Sequence, residues 1–322
     1  MTVTPHGHNW HHDPRSDSAS DLSYEKRDSD VTMTHQKPPL VYVLVLNWCG
    51  WRDTVSCVDS LYRQRYENYR VLVIDNGSTD GSVEHLQQAL PTQPIIENGT
   101  NLGFAAGNNV GVEVALASGA EYVWLLNNDA TADAGALAAM IHTAETNVRI
   151  GAVGSVVCAM DDRAKVLAWG GGRIEFFWGR ARHQLRPSRR RRRLDYVTGA
   201  SLLVRREAIE DVGFLNEDFF MYWEDADFGC RLRDAGWQIA VADDAYVYHH
   251  EAGSVGQKSE RRDILFNTSA TLFFRKHSRF PAIPIIVGAG TRVLKRLAFG
   301  DWRRAKAVCV GVLHGLAVNK ER

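Results

Sequence analysis

The stretch EYVWLLNND at residues 121–129 places the tightest limit on what this chain can fold into. Its apolar and aromatic run, residues 122–126, reads as a buried strand that halts at Asn127, Asn128 and Asp129. A carboxylate cannot continue such a run into a core, because burying an unpaired charge is too costly. Asp129 is therefore expected where the strand leaves the core. In an open α/β sheet that rim is where ligands bind. An Asp there can equally cap the helix expected from about residue 133.

Neighbouring stretches repeat the pattern. Residues 40–46 (LVYVLVL) read as a buried strand that turns at Asn47 into a helix over about 51–65. A second strand, 70–74, ends at Asp75 and meets the turn-forming cluster NGSTDG. A short strand at 94–97, a Gly- and Asn-rich loop at 101–109 and a helix to about 118 lead to the strand at 122–126. This alternation predicts an α/β fold with a mostly parallel, doubly wound sheet. Right-handed crossovers would line up Asn47, Asp75 and Asn127 to Asp129 on one rim, which weakens the cap reading of Asp129.

The second half is less regular. Strands are expected at 153–158, at 166–178 with a glycine turn at 170–172, and at 195–204 interrupted at Gly199. From Asp225 the spacing of Phe228, Leu232 and Ala235 predicts a helix. Short strands at 238–242 and 246–248 end at His249 and His250, and an amphipathic helix follows over 260–276. Residues 1–38 lack hydrophobic periodicity and are expected to be a disordered extension, with Met33 a candidate start.

Composition narrows the class by exclusion. With 322 residues, 45% apolar and 24% charged, the chain is ordinary for a soluble globular protein, and its net charge of zero selects no nucleic acid. The five cysteines form no CxxC pair, so neither a disulfide framework nor a zinc site is indicated, and a reducing cytoplasm is expected. Neither a signal peptide nor an apolar run of membrane-spanning length is present. The dinucleotide fingerprint after the first strand, the P-loop and HExxH are also missing. What remains is a pair of strand-end acids (Asp75, Asp129), an acidic cluster (Glu224, Asp225, Asp227) and His249. Together they suit transfer of a group carried on a diphosphate. Such chemistry needs a divalent cation, which takes one or two protein carboxylates, and a carboxylate base for the acceptor hydroxyl.

Six segments then carry a specific resemblance: VLVLNWCGW at 43–51, VLVIDNGSTDGS at 71–82, NLGFAAGNNVG at 101–111, WLLNND at 124–129, DYVTGASLLVRRE at 195–207 and GFLNEDFFMYWEDADFGCRLRDAGW at 213–237, the last followed by YHH at 248–250. In this order they make the chain resemble an inverting family 2 glycosyltransferase of the GT-A fold, in the rhamnosyltransferase-like branch, over roughly three quarters of its length. The resemblance implies a glycosyltransferase domain at 39–277, with a nucleotide-sugar half at 39–150 and an acceptor half at 151–277, ahead of a basic helical tail at 278–322. It implies that Asp75 meets the nucleobase, with Asn47 near the nucleotide and Asn127 by the ribose or phosphate. Gly103, Phe104 and Asn108 would line the sugar pocket. Asp129 and His249 would hold Mg²⁺ or Mn²⁺, with His250 the alternative. Asp225 would be the base and Glu224 its fallback; Gly199, Ala200 and Trp223 would lie on the acceptor side. The sequence departs from the family's DxD form, since Asn127 stands where the first Asp often does.

The implied reaction moves a sugar from a dTDP- or UDP-linked donor, with rhamnose the branch's suggestion, to a hydroxyl of a glycan or glycolipid in cell-surface polysaccharide synthesis. A sugar-nucleotide nucleotidyltransferase is the rival in the same fold, but LNWCGW replaces its Gly-rich basic loop. A silent glycan- or lipid-binding protein is the other rival. The run Arg189 to Arg193 reads as a solvated loop or an anion contact. From residue 276 on, ten Lys and Arg face two acids among apolar residues, which predicts peripheral attachment to the inner face of the cell membrane.

Overall fold

The computed structural model describes residues 37–187, 194–250 and 259–318. The expected N-terminal extension, almost all of it, and the arginine run at 189–193 lie outside the described residues.

The first half follows the expected alternation. Strand β1 (Val41–Asn47) leads to α1 (Trp51–Leu61), β2 (Tyr69–Asp75) to α2 (Ser82–Ala89), and β3 (Ile95–Glu97) to α3 (Gly103–Ala117), before β4 (Tyr122–Leu126). All four strands are parallel, in the spatial order β3-β2-β1-β4. The chain thus builds outward from β1 and returns to its other side, leaving a topological switch between β1 and β4. Along β1, Val41, Val43 and Val45 feed one core with α1 and α4 (Ala136–Glu145). Leu44, between them, feeds the opposite core with α3. Period-two burial on both faces is what a doubly covered sheet requires.

Beyond β4 the sheet becomes mixed. A short strand, β5 (Ala130–Ala132), precedes α4 where only a helix was expected. Then come β6 (Ile150–Ala159), β7 (Val166–Trp169), β8 (Gly171–Glu175), β9 (Arg180–His183), β10 (Tyr196–Val197) and β11 (Ser201–Arg205). The glycine turn at 170–172 and the break at Gly199 each divide an expected strand between two sheets. Strands β7 and β11 join the main sheet of nine, while β8, β9 and β10 form a separate sheet of three. After α5 (Arg206–Val212) and α6 (Glu224–Asp234), the two short strands expected at 238–248 are one strand, β12 (Gln238–His249), with a bulge between Ala242 and Tyr246. Helices α7 (Glu260–His277), α8 (Ala282–Ala298) and α9 (Trp302–Ala317) close the chain. Gly311 and Gly315 let α9 press against α7: a Cβ at Gly311 would lie 2.5 Å from the Ile264 carbonyl oxygen.

The centre of the sheet is held by Trp124, which is fully buried and whose indole N–H donates to Ser201 Oγ at 3.0 Å. Trp124→Ala should cost about 4 kcal/mol, since it removes the largest buried side chain and leaves a cavity. Urea unfolding measures this, and a loss below about 1 kcal/mol would place the core elsewhere.

Candidate active site

The parallel register sets Asn47 beside Asp75 at the carboxyl ends of β1 and β2. Asn47 Nδ2 donates to Asp75 Oδ1 at 2.7 Å, and its Oδ1 accepts from Thr54 Oγ1 at 2.8 Å. Ser78 completes the clamp, its N–H donating to Asp75 Oδ2 at 2.9 Å and its hydroxyl to Oδ1 at 2.6 Å. The Asp75 carboxylate is thus buried and fixed in orientation, with three of roughly four acceptor positions used. Asn47 and Asp75 stand behind a cleft of about 470 Å³ rather than among its lining residues. The residue at the wall is their neighbour Asn76, which the sequence marks only as a turn residue. Its amide donates to the Gly103 carbonyl at 3.0 Å and accepts from Leu102 N–H at 3.2 Å, tying β2 to the loop before α3.

Gly103 and Phe104 both line the cleft. Gly103 has φ +86°, and a Cβ there would lie 2.4 Å from the Phe220 carbonyl oxygen. The same carbonyl accepts from Phe104 N–H at 2.6 Å. Only glycine permits this approach, which joins the first half of the chain to the loop before α6. Asn108 is not at the wall; it is buried and donates to the Phe104 carbonyl at 2.8 Å, supporting the first turn of α3.

At the end of β4, Asn127 N–H donates to the Ala200 carbonyl at 3.1 Å and Asn128 Nδ2 to Thr54 Oγ1 at 3.1 Å. Asp129 is brought to His249 by the antiparallel pairing of β5 with β12, whose register sets His249 opposite Ala130. Asp129 Oδ1 lies 3.0 Å from His249 Nε2, yet that oxygen is buried and makes no hydrogen bond. Asn127 Nδ2 stands 3.2 Å from the same imidazole nitrogen. Cis donors of an octahedral cation at about 2.1 Å are about 3.0 Å apart, so the spacing and the unpartnered oxygen fit Mg²⁺ or Mn²⁺. No cluster of three or more His, Cys, Asp or Glu surrounds such a position among the described residues. Phosphate oxygens and water would have to complete the shell. His250 meets Asp129 through the backbone alone, its N–H donating to the Asp129 carbonyl at 3.1 Å.

The opposite wall is built on two strained residues. Tyr222 and Trp223 have φ of +70° and +69°, a left-handed conformation that costs each about 1–3 kcal/mol. They are held there from behind. Trp223 is buried against Phe266, Phe273 and Phe274, and Ser269 Oγ donates to the Met221 carbonyl at 2.7 Å. This turn delivers Glu224 and Asp225 to the start of α6, facing the cleft. Asp225 Oδ2 accepts from Gly199 N–H at 3.1 Å and Oδ1 from Ala226 N–H at 2.7 Å. Glu224 is buried with Oε2 unpartnered. Burial, and then the charge of Asp225, push the Glu224 carboxyl well above the ordinary range. Burial also raises Asp225, opposed by the Gly199 N–H and by nearby His183. Glu224 therefore takes up a proton more readily, and Asp225 is the one poised to ionise.

His183 and Arg262 line the cleft without having been singled out in the sequence. The signal for His183 was two-residue alternation along β9, which aims Ala181 and His183 at the cleft. Arg262 comes from the first turn of α7, with its guanidinium 6.0 Å from the Tyr222 ring. Gly199, Ala200 and Trp223 also line this wall.

The sequence model of "Glycosyl transferase family 2" matches residues 43–213. The chain belongs to this family. It is 32% identical over 240 residues to the N-acetylglucosaminyl-diphospho-decaprenol L-rhamnosyltransferase of Mycobacterium tuberculosis, covering 67% of this chain and 78% of that protein. It is 27% identical over 259 residues to a galactofuranosyltransferase of the same organism, covering 79% and 76%. Among solved structures it resembles a Pyrobaculum calidifontis mannosyltransferase in complex with GDP-Man and Mn²⁺, with a TM-score of 0.55, 18% identity and coverage of 88% and 77%. It also resembles GalNAc-T7 with UDP, GalNAc and Mn²⁺, with a TM-score of 0.63, 12% identity and coverage of 88% and 57%. The fold of this glycosyltransferase is thus of the GT-A type. The matched segment takes in Asn47, Asp75 and Asp129 and stops before Glu224, Asp225 and His249.

Asp227 anchors the acidic turn of the glycosyltransferase from beneath. It is fully buried and accepts from His277 Nε2 at 2.7 Å, Arg231 Nε at 2.7 Å and Lys276 Nζ at 2.8 Å. Burial alone would raise its pKa, but these three partners outweigh it and hold the carboxyl below its ordinary value. A depressed folded pKa stabilises above the unfolded value, near 3.8, and that contribution is lost as pH falls toward the folded one. Asp227→Asn should therefore cost about 3 kcal/mol at neutral pH and flatten the loss of stability below pH 3.8. Denaturant melts from neutral pH to strong acid check this; an unchanged acid slope would show that Asp227 is not the responsible group.

Proposed function

We propose that this glycosyltransferase moves a deoxyhexose such as rhamnose from a dTDP- or UDP-linked donor to a hydroxyl of a lipid-linked glycan. It would work in cell-surface polysaccharide synthesis at the inner face of the cell membrane. One observation carries the reading: the unpartnered Asp129 oxygen beside His249 and the Glu224–Asp225 pair line the same cleft of about 470 Å³. The relative that is 32% identical supports the sugar and the acceptor class through its own named activity.

In this reading the donor's nucleotide lies along the ends of β1 and β2, against the Asn76 wall that the clamped Asp75 backs. Its diphosphate reaches Asp129 and His249. These two would hold Mg²⁺ or Mn²⁺, whose charge stabilises a departing diphosphate. Phe104 and Gly103 border the sugar. The acceptor enters past Tyr222, Trp223 and His183, and its hydroxyl oxygen attacks the anomeric carbon as the bond to the diphosphate breaks. The hydroxyl proton passes to Asp225, the more readily ionised member of the acid pair. A single displacement of this kind inverts the anomeric configuration. The Gly199 N–H fixes Asp225 Oδ2 and leaves the carboxylate's remaining lone pairs for the acceptor.

Three outcomes follow. Asp225→Asn should lower transfer about 10²–10⁴-fold while leaving donor binding intact, because it removes proton acceptance and little else. Persistent transfer would move the base elsewhere. The acid limb of kcat should lie above the ordinary Asp value of 3.8, since activity is lost as falling pH protonates a carboxylate whose pKa is raised. His183→Gln removes an influence that lowers that pKa, so the limb should shift to higher pH. A pH profile with dTDP-rhamnose and a soluble acceptor analogue reads both; a shift to lower pH would contradict the arrangement.

A further inference from the structure

Helices α8 and α9 carry an apolar surface that the fold leaves uncovered. Of the 18 exposed large apolar side chains among the described residues, ten lie between Phe280 and Val318. On α8 they form one stripe. Ile283, Ile286, Leu294 and Leu297 fall within an arc of roughly 80° at 3.6 residues per turn, and Ile286 and Leu294 are 70% and 68% exposed. On α9, Trp302, Leu313 and Leu316 make a matching outward face. No helix among the described residues is long and apolar enough to cross a membrane.

The inward faces of both helices are fixed by ion pairs. Arg296 and Arg304 both bind Asp263 of α7, and Arg292 donates to Asn267 Oδ1 at 2.7 Å and to the Gly179 carbonyl at 3.0 Å. The outward stripe is therefore presented by a rigid element and is not a frayed end. The outward cations are different. Arg279, Lys295, Arg303 and Lys306 are exposed and have no carboxylate partner among the described residues. Apolar side chains flanked by cations that lack a carboxylate partner, with Phe280, Phe299 and Trp302 at the helix ends, match an anionic bilayer surface in both polarity and charge. A second copy of the chain would bring cations against cations.

Helix α8 itself, through its inward face, stands next to the acceptor end of the cleft. Phe266 lines the cleft, and the Arg292 guanidinium of α8 lies 5.4 Å from its ring centre. We propose that the outward faces of α8 and α9 seat this enzyme on an anionic lipid surface, beside the end of the cleft that receives a lipid-linked acceptor. Only the purpose of the docking, to meet a lipid-linked acceptor, rests on the function proposed above. The docking itself needs no sugar chemistry.

Co-sedimentation of the full-length protein with vesicles tests it. The protein should pellet with vesicles of phosphatidylcholine and phosphatidylglycerol and bind far less to phosphatidylcholine alone. Leu294→Glu with Leu297→Glu should weaken binding at least tenfold while leaving transfer to a short soluble acceptor and the thermal midpoint unchanged. Lys295→Glu with Arg303→Glu should weaken binding about tenfold on anionic vesicles only. The proposal fails if the wild-type protein stays in the supernatant with both vesicles, or if the leucine variant binds as well as wild type. It also fails if that variant instead converts a dimer to a monomer in sedimentation velocity, which would make a second copy the occupant. Vesicle binding without sugar transfer would leave the docking intact and count against the proposed reaction alone.

Discussion

The pairing of β5 with β12 is the contact on which the site depends. Three residues of β5 form an antiparallel ladder with the end of β12, and the register fixes His249 opposite Ala130. Asp129 immediately precedes that ladder, so its carboxylate and the imidazole meet across it at 3.0 Å. A strand slip by one residue would turn His249 to the other face of the sheet. The register is secured along β12 by its parallel pairing with β6, from Gln238 through His249. Residues 120 positions apart are thus placed by backbone hydrogen bonds rather than by flexible loops. Asp129 lines the cleft, where a ligand can satisfy its unpartnered oxygen.

The second wall is made at a cost and held from several sides. Two residues in left-handed conformation precede α6, and the helix opens with buried acids that repel one another. The helix N-terminus favours negative charge there. Aromatic packing behind Trp223 and the contacts of Lys276 and His277 with Asp227 hold the turn to α7. Two contacts then set the spacing of the walls: the Phe104 N–H to the Phe220 carbonyl, and the Gly199 N–H to Asp225. The first lies where a side chain would obstruct, so Gly103 belongs to the geometry of the cleft as much as the acids do.

Strands β1, β2 and β4 are legible because each carries a continuous apolar run that stops at a polar residue, and parallel sheets covered on both faces produce that signal. The second half hid its structure for physical reasons. Strands β5 and β10 have three and two residues, too few to show a period. Strand β12 is interrupted in sequence by Asp243 and Asp244, which a bulge accommodates without ending the strand. At the site, residues that end long apolar runs were found, whereas Asn76, His183 and Arg262 were not. Asn76 stands inside a turn cluster, and His183 ends a four-residue strand rich in arginine, too short for its alternation to stand out as a period. Asn108 illustrates the converse: a motif residue whose side chain serves the α3 backbone rather than the cleft. The apolar, basic character of the tail is visible in sequence, but its division into two helices with separate inward and outward faces is not, because the arginines that anchor inward (Arg292, Arg296, Arg304) look the same in sequence as the cations that face outward (Arg279, Lys295, Arg303, Lys306).

The proposed function requires Asp129 and His249 to form half of a cation site that a nucleoside diphosphate completes. Titration calorimetry of Mn²⁺, alone and with saturating dTDP, measures this directly. Linked sites of this kind couple by roughly 5–150-fold. The arrangement predicts weak Mn²⁺ binding alone, binding at least about tenfold tighter with dTDP, and loss of that gain in Asp129→Ala. Equally tight Mn²⁺ binding without nucleotide, or coupling that survives Asp129→Ala, would contradict it.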